Sequence, residues 1–206
     1  MAITLTLSNH YHYQLMKKAI DLSADVLKII LMSDIFVFDK DAHATLADIT
    51  EATWAASTAY SLDDIVISTT PNGHKYKVTT AGTSGSSEPA WPTGTGETVN
   101  DETVVWTEIG ADDQLPTLHG YTQNNKTLDN KVLSEDDVND KGKMICDDVS
   151  WTASGGSIGP TGAAIIYDAT TADDTVIGCV DYGTDYTIPD GSIFQLKNIE
   201  IDNKQG

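Results

Sequence analysis

Five aromatic residues in the middle of the chain carry the strongest chemical signal: Trp54, Tyr60, Tyr76, Trp91 and Trp106. Exposed indole and phenol rings beside polar loops can stack against the apolar faces of sugar rings, so this set is compatible with carbohydrate binding. The same rings could instead form the core of a small β-unit, because large aromatic side chains bury the most area per residue. We expect most of them to be core residues. The candidate glycan-stacking rings are Trp91, Tyr76 and Tyr60, and Trp91, between two prolines in a loop, is the best candidate for an exposed ring.

No other group of residues has the pattern of an active site or a metal site. His10 and His12 would lie on one side of an extended segment, but no nearby carboxylate or cysteine completes a closed metal site. Acidic runs at 135–137, 147–148 and 173–174 lack the calcium-loop spacing, and solvated turn carboxylates explain them. The chain has no Gly-x-Ser-x-Gly nucleophile motif, and its Ser/Gly runs lack a P-loop lysine. We predict no enzymatic activity, no cofactor and no bound metal.

The two cysteines, Cys146 and Cys179, lie far apart in the sequence, each within or beside an apolar run. Such surroundings favour two buried free thiols, with a disulfide between them as the alternative. The same apolar neighbours argue against either thiol as a nucleophile.

The charge of the chain limits its partners. The formal net charge is -19, and all 12 basic residues are lysines. Nucleic acids and anionic membranes are poor candidates, because both require clustered cations. We find no secretory signal pattern and no apolar stretch of membrane-spanning length, so we expect a protein made in a cytoplasm that stays soluble until it assembles with something.

The aromatic residues lie in a segment that reads as a separate all-β module at 52–110. It contains a turn at 71–73, an aromatic strand at 74–78 and a closing strand at 103–109. A unit with its own core and neighbouring ends can be spliced into a surface loop of another fold.

The flanking residues 1–51 and 111–206 predict a second, discontinuous β-domain that hosts the module. A strand at 3–7 precedes one helix, capped by Ser8 or Asn9 and ending near residues 22–24. The run 26–32 is apolar at nearly every position, which predicts a strand buried on both faces. Further strands are expected at 143–146, 149–152, 163–167, 176–180 and 194–201. The predicted fold class is mainly β, with a β-sandwich or jelly-roll-like host, one N-terminal helix and the inserted module.

Several host segments resemble a family of small structural proteins of tailed bacteriophages; these segments are 7–21, 29–33, 36–43, 120–128 and 149–160. In that family the stretch corresponding to Ala47–Thr50 runs almost directly into the one corresponding to Gly120–Gln123, so the module is an additional piece. The module itself resembles short aromatic domains of phage virion proteins, similar in layout to small chitin- or cellulose-binding folds. The resemblance supplies no functional residues.

The resemblance implies a virion structural protein. We expect a capsid decoration protein (a cement or head-fibre protein) that binds the major capsid protein or other virion proteins, self-associates as a trimer and projects the module outward. The alternative is a tail, collar or baseplate component whose insert binds a host-surface glycan. A glycan depolymerase is a weaker alternative, since nothing in the sequence singles out one carboxylate pair from the many acids.

Overall fold

The computed structural model describes residues 4–70, 72–123 and 126–204. It contains 45% strand and 6% helix, which confirms the predicted mainly-β fold with one α-helix. The helix, α1, spans Asn9–Met16. The strands of the described ranges are, in chain order, β1 (Thr4–Leu7), β2 (Leu27–Ser33), β3 (Ala52–Thr53), β4 (Ala59–Tyr60), β5 (Ile65–Ile67), β6 (His74–Thr80), β7 (Gly82–Thr83), β8 (Thr98–Asp101), β9 (Val104–Ala111), β10 (Lys126–Thr127), β11 (Val132–Asp136), β12 (Lys141–Ile145), β13 (Val149–Thr152), β14 (Ile158–Asp168), β15 (Val176–Ile188), β16 (Ile193–Leu196) and β17 (Glu200–Lys204).

The chain divides into two compact units. One combines Met1–Ile49 with Thr117–Gly206, and we call it the host unit. The other is Thr50–Pro116, and we call it the inserted module. The sequence placed the module at 52–110, so the structural unit begins two residues earlier and ends six residues later. Residues 111–116, assigned to the host from the sequence, lie in the module.

The largest sheet of the host unit has five antiparallel strands in the order β1-β15-β14-β2-β10. Strand β14 pairs with β15 on one side and with β2 on the other, so that Ala164 lies opposite both Val180 and Leu31. Six of the seven residues of β2 are buried, which confirms the strand predicted from the apolar run at 26–32. A strand in this position needs apolar side chains on both faces.

One face of this sheet holds an aliphatic cluster that includes Ile30, Met32, Ile165 and Val176. Phe36 and Phe38 pack against the same cluster, among other partly buried residues. Removing each such side chain from water stabilises the fold by roughly 1.5–3 kcal/mol. The core therefore depends on residues contributed by strands that are distant in sequence.

Helix α1 begins where the sequence predicts, but it ends at Met16, six to eight residues before the expected end near 22–24. The Ser8 hydroxyl caps it by accepting the amide N–H of His10 at 3.2 Å. Its end is a Schellman motif, in which Ala19 N–H donates to the Gln14 carbonyl and Lys18 N–H to the Leu15 carbonyl, each at 3.0 Å. Lys18 adopts a left-handed φ of 58°, so the helix cannot continue to Ala24. No helix in the described ranges has the length and apolarity that crossing a membrane requires.

Two smaller antiparallel sheets complete the host unit, β11-β12-β17 and β13-β16. The sequence predicts one strand over 194–201, whereas the structure has two, β16 and β17. The break falls at Asn198, whose left-handed φ of 54° is incompatible with an extended strand. Strand β11 is an edge strand that carries two exposed apolar residues, Val132 and Leu133, and it was not predicted.

The inserted module has a five-stranded sheet in the order β3-β5-β6-β9-β8 and a two-stranded pair, β4-β7. The contact of β3 with β5 is parallel and the other pairings are antiparallel. Its buried core consists of aromatic and β-branched residues from these strands: Trp54, Val66, Tyr76, Val78, Val104 and Trp106. The module therefore closes around a core of its own.

Candidate functional site

The aromatic cluster of the inserted module is positioned by two neighbouring strands, β6 and β9. Burial alternates along both, so Tyr76 and Val78 on β6 and Trp106 and Glu108 on β9 face the interior. The antiparallel register places Val78 opposite Trp106 and Tyr76 opposite Glu108. This period-two pattern is how a strand sends alternate side chains to one face.

The rings form a continuous chain of contacts. Tyr76 stacks on Trp91 with ring centroids 4.2 Å apart and an interplanar angle of 28°. Trp91 meets Trp106 edge to face at 5.7 Å, and Tyr60 meets the same indole at 4.8 Å. Offset-stacked and edge-to-face pairs of this kind are each worth about 0.5–1.5 kcal/mol beyond their buried area.

Two carboxylates fix the three indole rings. Trp54 Nε1 and Trp106 Nε1 both donate to Asp101 Oδ2, at 2.8 and 3.1 Å, and Asp101 is only 4% exposed. Trp91 Nε1 donates to the partly buried Glu88 Oε1 at 2.7 Å. Burial alone would raise the pKa of Glu88, but hydrogen bonds from Thr69 and Trp91 outweigh that effect and lower the pKa, which keeps this acceptor ionised.

These contacts bear on the three candidate glycan-stacking residues. Tyr76 is fully buried, and its hydroxyl donates to the Pro92 carbonyl at 2.9 Å, so its ring is a core residue. Trp91 and Tyr60 are half-buried and pack against the same core. One face of the Trp91 ring lies against Tyr76, and its N–H is held by Glu88. Trp91 is therefore less exposed than its position between two prolines suggested. Glycan stacking by Trp91 and Tyr60 stays a prediction.

A buried histidine–glutamate pair lies beside the aromatic cluster. His74 Nδ1 lies 2.8 Å from Glu108 Oε1, which also accepts the Gly110 amide N–H at 2.9 Å. Burial would raise the pKa of Glu108, but the contacts with His74 and Gly110 lower it, so the carboxylate is ionised. The pair stabilises the strand end, and no nucleophile faces it among the described contacts. Sequence reasoning missed it because His74 and Glu108 are 34 residues apart.

A second buried cluster ties together the two ends of the module. Lys75 Nζ on β6 lies 3.5 Å from Glu51 Oε1 and 2.9 Å from Asp113 Oδ2, and the Asp112 amide donates to the Gly73 carbonyl. Asp112 lies beside Glu51, and Glu51 Oε2 has no hydrogen-bond partner in the described residues. Burial, followed by the contact with Asp112, raises the pKa of Glu51 to about 8.

His10 and His12 of the host unit do not form a metal site in the described part of the chain. Both lie on α1 rather than on an extended segment, and residues two apart on a helix do not face each other. His10 Nε2 lies 3.1 Å from Asp173 Oδ2 and 2.9 Å from Gln14 Nε2, whereas His12 packs against Tyr11. No group of three or more potential ligands is positioned to hold a metal within residues 4–70, 72–123 and 126–204.

Both cysteines are free thiols. Cys179 is buried on β15, and Cys146, partly buried, follows β12 directly. Burial is the main cause that raises the pKa of Cys146 to about 11 and that of Cys179 to about 12. Thiols with such pKa values are protonated at neutral pH and react slowly. The structure therefore has the two free thiols that the sequence favoured, although only Cys179 is fully buried. The alternative, a disulfide between Cys146 and Cys179, has no support.

Comparison with known proteins adds no relative: no family model, no curated protein and no solved structure matches the chain. The function of the chain is therefore inferred from its two units.

Proposed function

We propose that the protein is a structural component of a bacteriophage virion, a capsid decoration protein that binds the head lattice through its host unit and presents the inserted module. The single observation that carries the proposal is the closure of the module on itself. The module has its own aromatic core. Lys75 contacts both Glu51, near the first residue of the module, and Asp113, near the last, so the two ends lie close together. A unit with adjacent ends can be added to a host without breaking the host core. Such an addition supplies surface, as a displayed module requires.

The sequence resemblance to phage structural proteins supports the same proposal, because it covers segments of the host and not the module. The charge of -19 is also compatible with it, since an acidic surface discourages association before assembly and suits a basic or mixed partner surface. The partners implied are the major capsid protein and further copies of this chain, in a trimer.

Exposed apolar side chains on the host unit are candidates for the docking surface. Tyr13 and Met16 on α1 are 52% and 79% exposed, and Val132, Leu133 and Ile145 on the β11–β12 pair are exposed as well. The apolar strands β2 and β14, in contrast, are buried in the host core and cannot dock. Individually weak contacts suffice when the interface repeats around a shell.

The test is the number of copies per purified particle. Hundreds of copies on the head are expected for a decoration protein, whereas about a dozen or fewer would indicate a tail, collar or baseplate component. That second candidate is favoured by one observation, the partial exposure of Trp91 and Tyr60, which a glycan-binding insert would use.

A deletion separates the roles of the two units. A variant with Thr50–Pro116 replaced by a short Gly/Ser linker is expected to fold and to enter particles at the wild-type copy number. The matched variant Met16→Asp with Leu133→Asp leaves the module intact and is expected to reduce incorporation. Loss of incorporation on deleting the module, with a correctly folded host unit, would contradict the proposal.

A further inference from the structure

A cleft in the host unit combines aromatic and polar side chains. It has a volume of about 390 Å³ and lies where the far half of β15 meets β16 and the turn that follows. Three aromatic residues line it, and three polar residues stand beside them: Tyr182, Tyr186, Phe194, Gln195, Lys197 and Asn198. We call it the aromatic cleft. Its volume is within the range of small-ligand sites, about 300–1,000 Å³.

Packing behind the cleft holds its aromatic wall in place. Phe194 stacks on its cross-strand partner Trp151, with centroids 6.1 Å apart at 28°. Tyr182 and Tyr186 contact Phe194 at 5.5 and 5.8 Å. Phe194 and Tyr186 remain half-buried, so part of each ring is accessible without any rearrangement. A wall fixed in this way is preorganised for a ligand.

Tyr182 contributes its ring, and not its hydroxyl, to the cleft. The residue is 4% exposed, and its hydroxyl is closed off from solvent beside Thr161, without a hydrogen bond of normal geometry in the described residues. Burial raises the pKa of Tyr182 well above its usual range, so the hydroxyl stays protonated. A ligand in the cleft would therefore meet the rings of the wall first.

Among the described residues that line the cleft, the one charged side chain is a lysine, Lys197. Although the chain has 31 acidic residues, no Asp or Glu lines the cleft in the described part of the structure. Lys197 is exposed there and makes no ion pair with any described carboxylate. The Asn198 amide N–H donates to Asp148 Oδ1 at 3.1 Å, which anchors the turn that carries both polar residues.

We propose that the aromatic cleft binds an acidic saccharide unit, a pyranose that carries a carboxylate. The apolar face of the sugar would lie against Phe194 and Tyr186, and its carboxylate against Lys197. The side-chain amides of Gln195 and Asn198 supply further hydrogen-bond partners for sugar hydroxyls. An apolar peptide side chain would fill the cleft but would leave the Lys197 ammonium without a partner, so the saccharide is the better match.

The test is an NMR titration of the full chain with a uronic-acid disaccharide and, in parallel, with its neutral hexose counterpart. The acidic sugar is expected to shift the backbone amides of 194–198 and the side-chain amides of Gln195 and Asn198 saturably at millimolar concentration. The neutral sugar is expected to bind about tenfold more weakly, because it lacks the charge-assisted contact. Lys197→Gln is expected to reduce affinity for the acidic sugar about tenfold and to leave that for the neutral sugar unchanged.

Lys17→Gln is the matched control, since it removes one lysine charge from the exposed end of α1, outside the cleft. Both substitutions are at exposed positions, so folding is retained and can be verified from the unchanged remainder of the spectrum. Three results would overturn the proposal: no saturable shift at 194–198, equal affinity for the two sugars, or equal effects of the Lys197 and Lys17 substitutions. Shifts confined to the inserted module would also overturn it. None of these results affects the copy-number test of the virion proposal.

Discussion

The host unit and the inserted module both close around apolar cores, but the first core is mainly aliphatic and the second mainly aromatic. The host fills the space beside β2 and its two long strands, β14 and β15, with residues such as Ile30 and Ile165. The module, in which no described strand exceeds eight residues, relies on large rings, centred on Trp106. A small unit has less interior to fill and buries a smaller share of its surface, so each buried side chain must contribute more area.

The two units also differ in how they treat buried polar groups. The module places Glu88 and Asp101 against its indole rings, so its aromatic core has fixed orientations. Both units also hold a carboxyl group whose pKa is raised mainly by burial: Asp168 in the host, to about 6, and Glu51 in the module, to about 8. The indole N–H groups of the module therefore have carboxylate acceptors, whereas the aliphatic cluster of the host has no such groups to satisfy.

The largest effect that distinguishes the units is expected from Trp106→Ala. The side chain is fully buried and contacts two other rings, so its loss is expected to destabilise the module by about 4 kcal/mol. Calorimetry and residue-resolved hydrogen exchange would measure the loss in the module and unchanged protection in the host. Ile165→Ala is the reverse control, with about 3 kcal/mol lost from the host alone. If either variant lowers the stability of both units equally, they do not fold independently.

Asp101→Ala tests the anchoring of the rings. It leaves the N–H groups of Trp54, Trp106 and Gly85 without their acceptor, at an expected loss of about 3 kcal/mol from the module. Asp101→Asn retains one oxygen and is expected to lose less, which separates hydrogen bonding from the shape of the side chain. Thermal unfolding followed by tryptophan fluorescence measures both variants. An Asp101→Ala protein as stable as the wild type would remove the proposed role of the anchor.

Glu51→Gln is expected to change how the stability of the module depends on pH. Because burial and Asp112 raise the folded-state pKa of Glu51 from 4.5 to about 8, its stabilising contribution is complete below the lower value and is lost as pH rises through the higher one. Lys75, Asp112 and Asp113 face this carboxyl group, and Lys75 reduces the effect by favouring the ionised form. The variant is expected to be more stable than the wild type by about 2 kcal/mol at the upper end of that range.

Chemical denaturation at several pH values measures this change. Glu135→Gln, an exposed position on the hairpin of the host unit, is the control and is expected to leave the profile unchanged. Parallel profiles for wild type and Glu51→Gln would show that Glu51 is already ionised in the folded protein.

The smallest expected effect is in the host unit, at the end of α1. Lys18 adopts a left-handed conformation that glycine tolerates without strain, so Lys18→Gly is expected to stabilise the host by about 0.5–1 kcal/mol. The module transition is expected to be unaffected, and differential scanning calorimetry reports both. A destabilised host would mean that the lysine side chain contributes contacts that outweigh the backbone strain.

Much of the fold could be predicted from local pattern. The alternation at the start of the chain predicts β1, the apolar run at 26–32 predicts β2, and turn residues locate the strand ends around β13 to β15. Strand β11 was missed because its sequence, Val132–Asp136, does not alternate between apolar and polar residues. The strand is also exposed on both faces, so it leaves no apolar stripe. The break between β16 and β17 was missed because one residue with a left-handed backbone, Asn198, leaves no pattern in the sequence.

The sequence by itself determined that this protein is mainly β, that an aromatic segment stands apart in the middle of it, and which few rings could meet a ligand. Those properties follow from composition and short-range periodicity, which a linear chain displays directly. Only the tertiary structure decided that Tyr76 is buried, that Asp101 serves two indoles, that Glu51 lies beside Asp112 and that Tyr182 and Lys197 border one cleft. Burial, hydrogen bonding and pKa depend on neighbours brought together across tens of residues, and strand pairing sets those neighbours rather than local sequence.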